Sequence, residues 1–135
     1  MRVKLSVVCL VTGCLLVLLA CSAPAPGELS VDMAGSGTEV MLAAGGTLTI
    51  TLDSNMTTGY RWSEDANIGD KTVMQQAGHK YQAPAAPVPG AGGKEVWTVK
   101  ALKAGKTTVS MEYRRPFEPA SLAPARTFSL TVVVR

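Results

Sequence analysis

The sequence predicts an all-β fold, two antiparallel sheets packed face to face, and three observations carry that prediction. From Leu29 onward apolar residues recur with period two rather than 3.6, as half-buried strands require. Segments rich in glycine and proline interrupt these runs, and no stretch between them has the periodicity of a convincing helix. All three cysteines, Cys9, Cys14 and Cys21, lie near the start of the chain. The remainder therefore has no internal disulfide and must depend on a packed core.

The average hydrophobic content of 47% hides two materials. Residues 1–20 read as a signal peptide: Arg2 and Lys4 come first, then a nearly unbroken apolar stretch, then a small residue at the cut. The stretch is short for a bilayer span, which needs about 20 apolar residues. Leu18-Leu19-Ala20-Cys21 resembles the bacterial lipobox, in which the cysteine thiol accepts a diacylglyceryl group and becomes the new N-terminus. On this reading Cys21 is the lipidation site, a palmitate-type acyl anchor, and residues 21–28 are a tether stiffened by Pro24 and Pro26. An ordinary cleaved signal with a chance cysteine is the alternative. With Ser22 rather than Asp after the cysteine, the resemblance to such lipoproteins implies the outer membrane of a double-membraned bacterium, with the domain facing the periplasm or the surface. Residues 29–135 then form a single domain, too short for two.

Four runs in this domain are strong strand candidates. Leu48, Ile50 and Leu52 alternate with Thr47, Thr49 and Thr51. Residues 94–102 place Trp97, Val99 and Ala101 on one side. Val109, Met111 and Tyr113 alternate with Thr108, Ser110 and Glu112, and Phe128, Leu130, Val132 and Val134 with Thr127, Ser129 and Thr131. Weaker candidates at 29–33, 38–44, 60–63 and 72–81 bring the expected total to seven or eight. Gly45-Gly46 and Lys103-Ala104-Gly105-Lys106 are short enough to close hairpins. Three connections, 53–59, 82–93 and 115–125, are longer or richer in glycine and proline than turns need to be. Such loops on a compact sandwich point to a binding surface.

Composition and chemistry exclude several function classes. Without residues 1–20 the net charge falls from +3 to about +1, so no basic footprint for nucleic acid exists. The single histidine, His79, reads as a solvated or edge-strand residue. Asp65 and Asp70 are solitary, and no carboxylate pair is placed for acid–base work. One histidine and no free thiol cannot build the usual zinc or transition-metal site. Gly90, Gly92 and Gly93 do not open a helix after a strand, so they are no phosphate cradle. The chain is expected not to be an enzyme and to need no cofactor or metal.

The three loops carry a resemblance. Asn55-Met56-Thr57-Thr58-Gly59-Tyr60 resembles the first signature of the chagasin family of cysteine-peptidase inhibitors, with Met56 where that family usually has proline. Gly90-Ala91-Gly92-Gly93 matches its Gly-x-Gly-Gly loop, and Arg115-Pro116-Phe117 its Arg-Pro-aromatic loop. Each motif alone is weak, but three in order between strand candidates are specific, and the resemblance covers 29–135. It implies an immunoglobulin-like β-sandwich with the loops side by side at one end. It also implies reversible, tight inhibition of papain-like cysteine peptidases by a three-pronged wedge filling the cleft. Residues 55–60 would be the middle prong, with Thr57 and Thr58 near the enzyme's catalytic pair.

The residue types suit that task in their own right. Glycines such as Gly92 and Gly93 allow backbone to approach backbone, and Arg115 and Phe117 are of the types that anchor interfaces. Threonines offer hydroxyls but nothing that reacts with a thiolate, so inhibition should be non-covalent. Each motif also has a plainer reading: Asn55 and Gly59 as a tight turn, Tyr60 and Trp62 as packing at the sandwich end, Arg115 paired with Glu112 or Glu118. The expected partners are a papain-like peptidase and, through Cys21, a membrane, with the inhibitor acting as a monomer. The alternative is a non-inhibitory structural or adhesive sandwich of the cell envelope.

Overall fold

The computed structural model describes residues 27–86 and 88–135. The segment read as a signal peptide, Cys21 and most of the segment read as a tether lie outside the described residues, as does Pro87 in the second long loop. Among the described residues nine strands form: β1 Glu28–Val31, β2 Glu39–Leu42, β3 Thr47–Ser54, β4 Arg61–Trp62, β5 Asn67–Ile68, β6 Met74–Gln82, β7 Gly93–Ala101, β8 Gly105–Arg114 and β9 Arg126–Val134. Two short 3-10 turns, Met33–Gly35 and Met56–Thr58, follow β1 and β3. The one strand absent from the sequence reading is β5, whose two residues show no alternation to detect.

The strands make two sheets. The first has the order β1-β3-β7-β6; the second has the order β2-β9-β8-β4, with β5 also paired to β8. The alternation read from the sequence decides which faces meet. Leu48, Ile50, Leu52, Trp97 and Val99 of the first sheet are buried against Val109, Met111, Phe128, Leu130 and Val132 of the second. Each such side chain contributes about 1.5–3 kcal/mol of transfer free energy, so this layer holds the sandwich. The opposite parity of β3, Thr47, Thr49 and Thr51, is half-buried rather than exposed, since β1 and β7 flank it on both sides.

Three expectations are corrected. Not every pairing is antiparallel: β1 runs parallel to β3, and β2 parallel to β9. The chain reaches β2 in the second sheet before returning to β3, so β1 and β3 are joined through the other layer rather than by a tight turn. Second, Gly45-Gly46 closes no hairpin, because β2 and β3 belong to different sheets. Ala44 N–H donates to Arg135 O in the second sheet, while Gly45 N–H, one residue later, donates to Ala101 O in the first. Gly45 has φ +85, and a Cβ on Gly46 would lie 2.8 Å from the carbonyl oxygens of Ala43 and Gly27. Both residues therefore need glycine to make the crossing.

Third, residues 103–106 also cross between sheets, from β7 to β8. The consecutive hairpins are instead β6–β7 and β8–β9, closed by the long loops 83–92 and 115–125. The loop after β3, residues 55–60, passes from the first sheet to β4 in the second. All three long loops therefore emerge at one end: two cap hairpins on opposite sheets, and the third spans the gap between them.

Candidate functional site

The first loop is shaped by Asn55. Its Oδ1 accepts from Thr57 N–H at 3.2 Å and from the Thr57 hydroxyl at 2.5 Å, which caps the 3-10 turn Met56–Thr58. The Thr58 hydroxyl donates back to Asn55 O at 2.6 Å. Gly59 closes the turn at φ +80, donating its N–H to Met56 O at 3.1 Å. The plain reading of Asn55 and Gly59 as turn-formers is thus correct locally. The turn is fastened without a proline at position 56, and Met56, Thr57 and Thr58 are left exposed at the tip.

The loop is also tied to both neighbours. Asn55 Nδ2 donates to Gly90 O of the second loop at 3.2 Å, and Arg115 Nε of the third loop donates to Thr58 O at 3.3 Å. Residues 55–60 therefore lie between the other two loops. Arg115 is occupied within the molecule. Its guanidinium lies 4.4 Å over the Tyr60 ring, and Nη1 pairs with Glu118 at 3.4 Å. Arg115 thus joins loops, as the plainer reading had it with Glu118, while its side chain keeps 37% of its surface exposed. Tyr60 is half-buried and stacks on Tyr113 with centroids 5.4 Å apart, so it too belongs to the support of the loop.

The glycines of the second loop divide. Gly90 has φ +82 with open space around it, and Ala91 and Gly92 stand at the surface. Gly93 is buried at the start of β7, where a Cβ would fall 2.3 Å from Gln82 O and 2.7 Å from Tyr81 Cζ. Its lack of a side chain serves the hairpin's own packing. In the third loop Pro116 is exposed and Phe117 stands 75% exposed. With Met56, Gly59 and Tyr60 they line a hollow of about 560 Å³. An aromatic ring that close to full exposure is unusual for a side chain serving only its own fold.

Some of what builds the site was not singled out in the sequence. Tyr113, read only as core, accepts from Asn55 N–H at 3.0 Å through its hydroxyl. Glu95 is buried and takes Trp62 N–H at 3.0 Å and His79 Nε2 at 3.1 Å. The available signal was parity: Gly93, Glu95 and Trp97 share the inward side of β7, where a carboxylate is out of place. His79 does sit on an edge strand, β6, but it is mostly buried against Trp97 and Glu95 rather than solvated.

Asp70 has its carboxyl held below the usual range by the Thr72 hydroxyl and then by Thr72 N–H, which is turn capping on an exposed loop. No group of three or more potential metal-ligating side chains occurs among the described residues.

Residues 41–132 match the model of the chagasin family peptidase inhibitors, I42. The chain belongs to the chagasin family. Amoebiasin-1 of Entamoeba histolytica is 31% identical over 107 residues, covering 79% of this chain and 100% of that protein. Chagasin of Trypanosoma cruzi is 33% identical over 89 residues, 64% of this chain and 81% of its own. The crystal structure of the cysteine protease inhibitor EhICP2 from Entamoeba histolytica superposes with a TM-score of 0.73 at 23% identity, covering 84% of this chain and 100% of that one. That likeness shows the shared sandwich fold. Membership in the chagasin family makes the chain a peptidase inhibitor and not an enzyme.

Proposed function

We propose that this chagasin-family domain inhibits papain-like cysteine peptidases reversibly and non-covalently, blocking the active-site cleft with three adjacent loops. One observation carries the reading: loops from both sheets are hydrogen-bonded into a single ridge that presents Thr57, Thr58, Gly92, Pro116 and Phe117 outward. A ridge fastened by its own side chains loses little conformational entropy on docking, which favours affinity. It offers no thiol or other group that would capture the enzyme covalently. The test is titration of papain with the domain from residue 22 onward. The expected result is inhibition that reverses on dilution and leaves the inhibitor uncut. Recovery of a chain cut between Thr57 and Thr58, or a failure to inhibit papain and its relatives, would overturn the proposal.

The same proposal places the domain at the cell envelope, on a lipid carried by Cys21. The support is Leu18-Leu19-Ala20-Cys21 and the Pro24/Pro26 tether that follows. Cys21→Ala is expected to leave unprocessed precursor or release the protein from the membrane fraction. Unchanged membrane attachment with normal maturation would remove the lipoprotein assignment.

A further inference from the structure

The first loop leaves β3 in one sheet and enters β4 in the other, so its height depends on how the sheets are locked at this end. β4 is two residues long and forms the edge of the second sheet. Ser63 N–H donates to Glu112 O at 3.0 Å. By the alternation of an antiparallel pair, the Trp62 N–H one residue earlier points off that edge, away from β8. It is not left without a partner. Glu95, on β7 of the opposite sheet, brings Oε2 to within 3.0 Å of it.

Glu95 is 2% exposed and is the only charged side chain among the buried residues described. Its two oxygens have separate tasks, since Oε1 is held by His79 Nε2 at 3.1 Å. A buried carboxylate is costly unless fully hydrogen-bonded, and an apolar side chain of similar volume commonly serves stability as well or better. Its position is what sets it apart. The Trp62 backbone is where the chain leaves the loop, and two further ties between the sheets lie beside it. Trp62 Nε1 donates to Asp53 O at 3.0 Å, and Trp97 Nε1 to Glu64 O at 3.0 Å.

The geometry points to Glu95 and His79 as positioning residues of the first loop. The carboxylate sets the Trp62 backbone at a fixed distance from β7, and His79 holds the carboxylate in the orientation that does so. Neither residue touches the peptidase; both act through Trp62 on the placement of residues 57–60. This rests on the inhibitory reading above. A neutral or protonated imidazole can donate from Nε2, so the donor, rather than the charge, is what His79 must supply.

The test uses Glu95→Met, which fills the space without an acceptor, with His79→Ala and His79→Gln, the last keeping an N–H donor. Association and dissociation rates with papain are measured beside melting temperature and amide exchange at Trp62. Glu95→Met and His79→Ala are expected to dissociate about tenfold faster, with association within twofold of wild type and faster exchange at Trp62. His79→Gln is expected to bring the dissociation rate back to within about threefold. A purely structural role would lower the melting temperature without this rescue. Folded Glu95→Met and His79→Ala proteins that dissociate like wild type, or a Trp62 amide that exchanges no faster, would overturn the assignment. Should Glu95→Met fail to fold, the two His79 variants decide alone. If the wild-type domain inhibits nothing, the inhibitory reading falls, and Trp62 exchange still reports whether the pair holds the loop.

Discussion

Val132→Asp is expected to abolish the folded domain at physiological temperature. Val132 is fully buried at the centre of β9, opposite Thr107 of β8 and Val40 of β2. A carboxylate there meets only the apolar layer of the opposite sheet and must either stay charged without a partner or take up a proton. Together with the lost burial of the valine, the cost is about 4 kcal/mol or more, against a total of roughly 5–15 kcal/mol for a domain of this size. The melting temperature should drop by roughly 15–30 °C, or cooperative melting should disappear. Circular dichroism on the soluble domain measures this. A variant melting within a few degrees of wild type would mean that β9 does not carry the core.

Phe117→Ala should have the opposite signature. The ring stands 75% exposed at the ridge, bordering the hollow with Met56, Gly59 and Pro116, so its loss should leave the melting temperature almost unchanged. Truncating an aromatic anchor at an interface commonly costs about 2 kcal/mol, or roughly thirtyfold in affinity. The inhibition constant for papain should rise by that factor, mostly through faster dissociation. An inhibition constant within twofold of wild type would remove the third loop from the contact surface. Together with Val132→Asp, this variant separates a side chain that serves the partner from one that serves the fold.

Arg115 shows how far residue type can mislead at such a site. Its neighbour in the motif, Phe117, is exposed as an anchor should be, whereas Arg115 is turned inward to Thr58 O, the Tyr60 ring and Glu118. Gly93 teaches the same lesson. A glycine in a binding motif suggests close approach by a partner, yet here the carbonyl of Gln82 already fills the place of a Cβ. Both residues hold the three loops in shape from beneath.

What the sequence by itself determined is the face of each strand and the identity of the loops. Period-two alternation in β3, β7, β8 and β9 names 13 of the 19 buried hydrophobic side chains, because a pleated strand can turn only every second residue inward. The three motifs mark the ridge because their glycines, prolines and capping asparagine have local conformational consequences. Only the tertiary structure decided which sheet each strand joins. Gly45-Gly46 and residues 103–106 look like hairpin turns, and a turn of that length can equally step across the sandwich. The choice depends on partners far along the chain: Arg135 and Ala101 take up successive backbone groups at the first crossing. The use of Glu95 was equally out of reach of local reading. Its acceptor is needed by an edge N–H 33 residues away, on the other sheet, and that need arises only once the two sheets have packed.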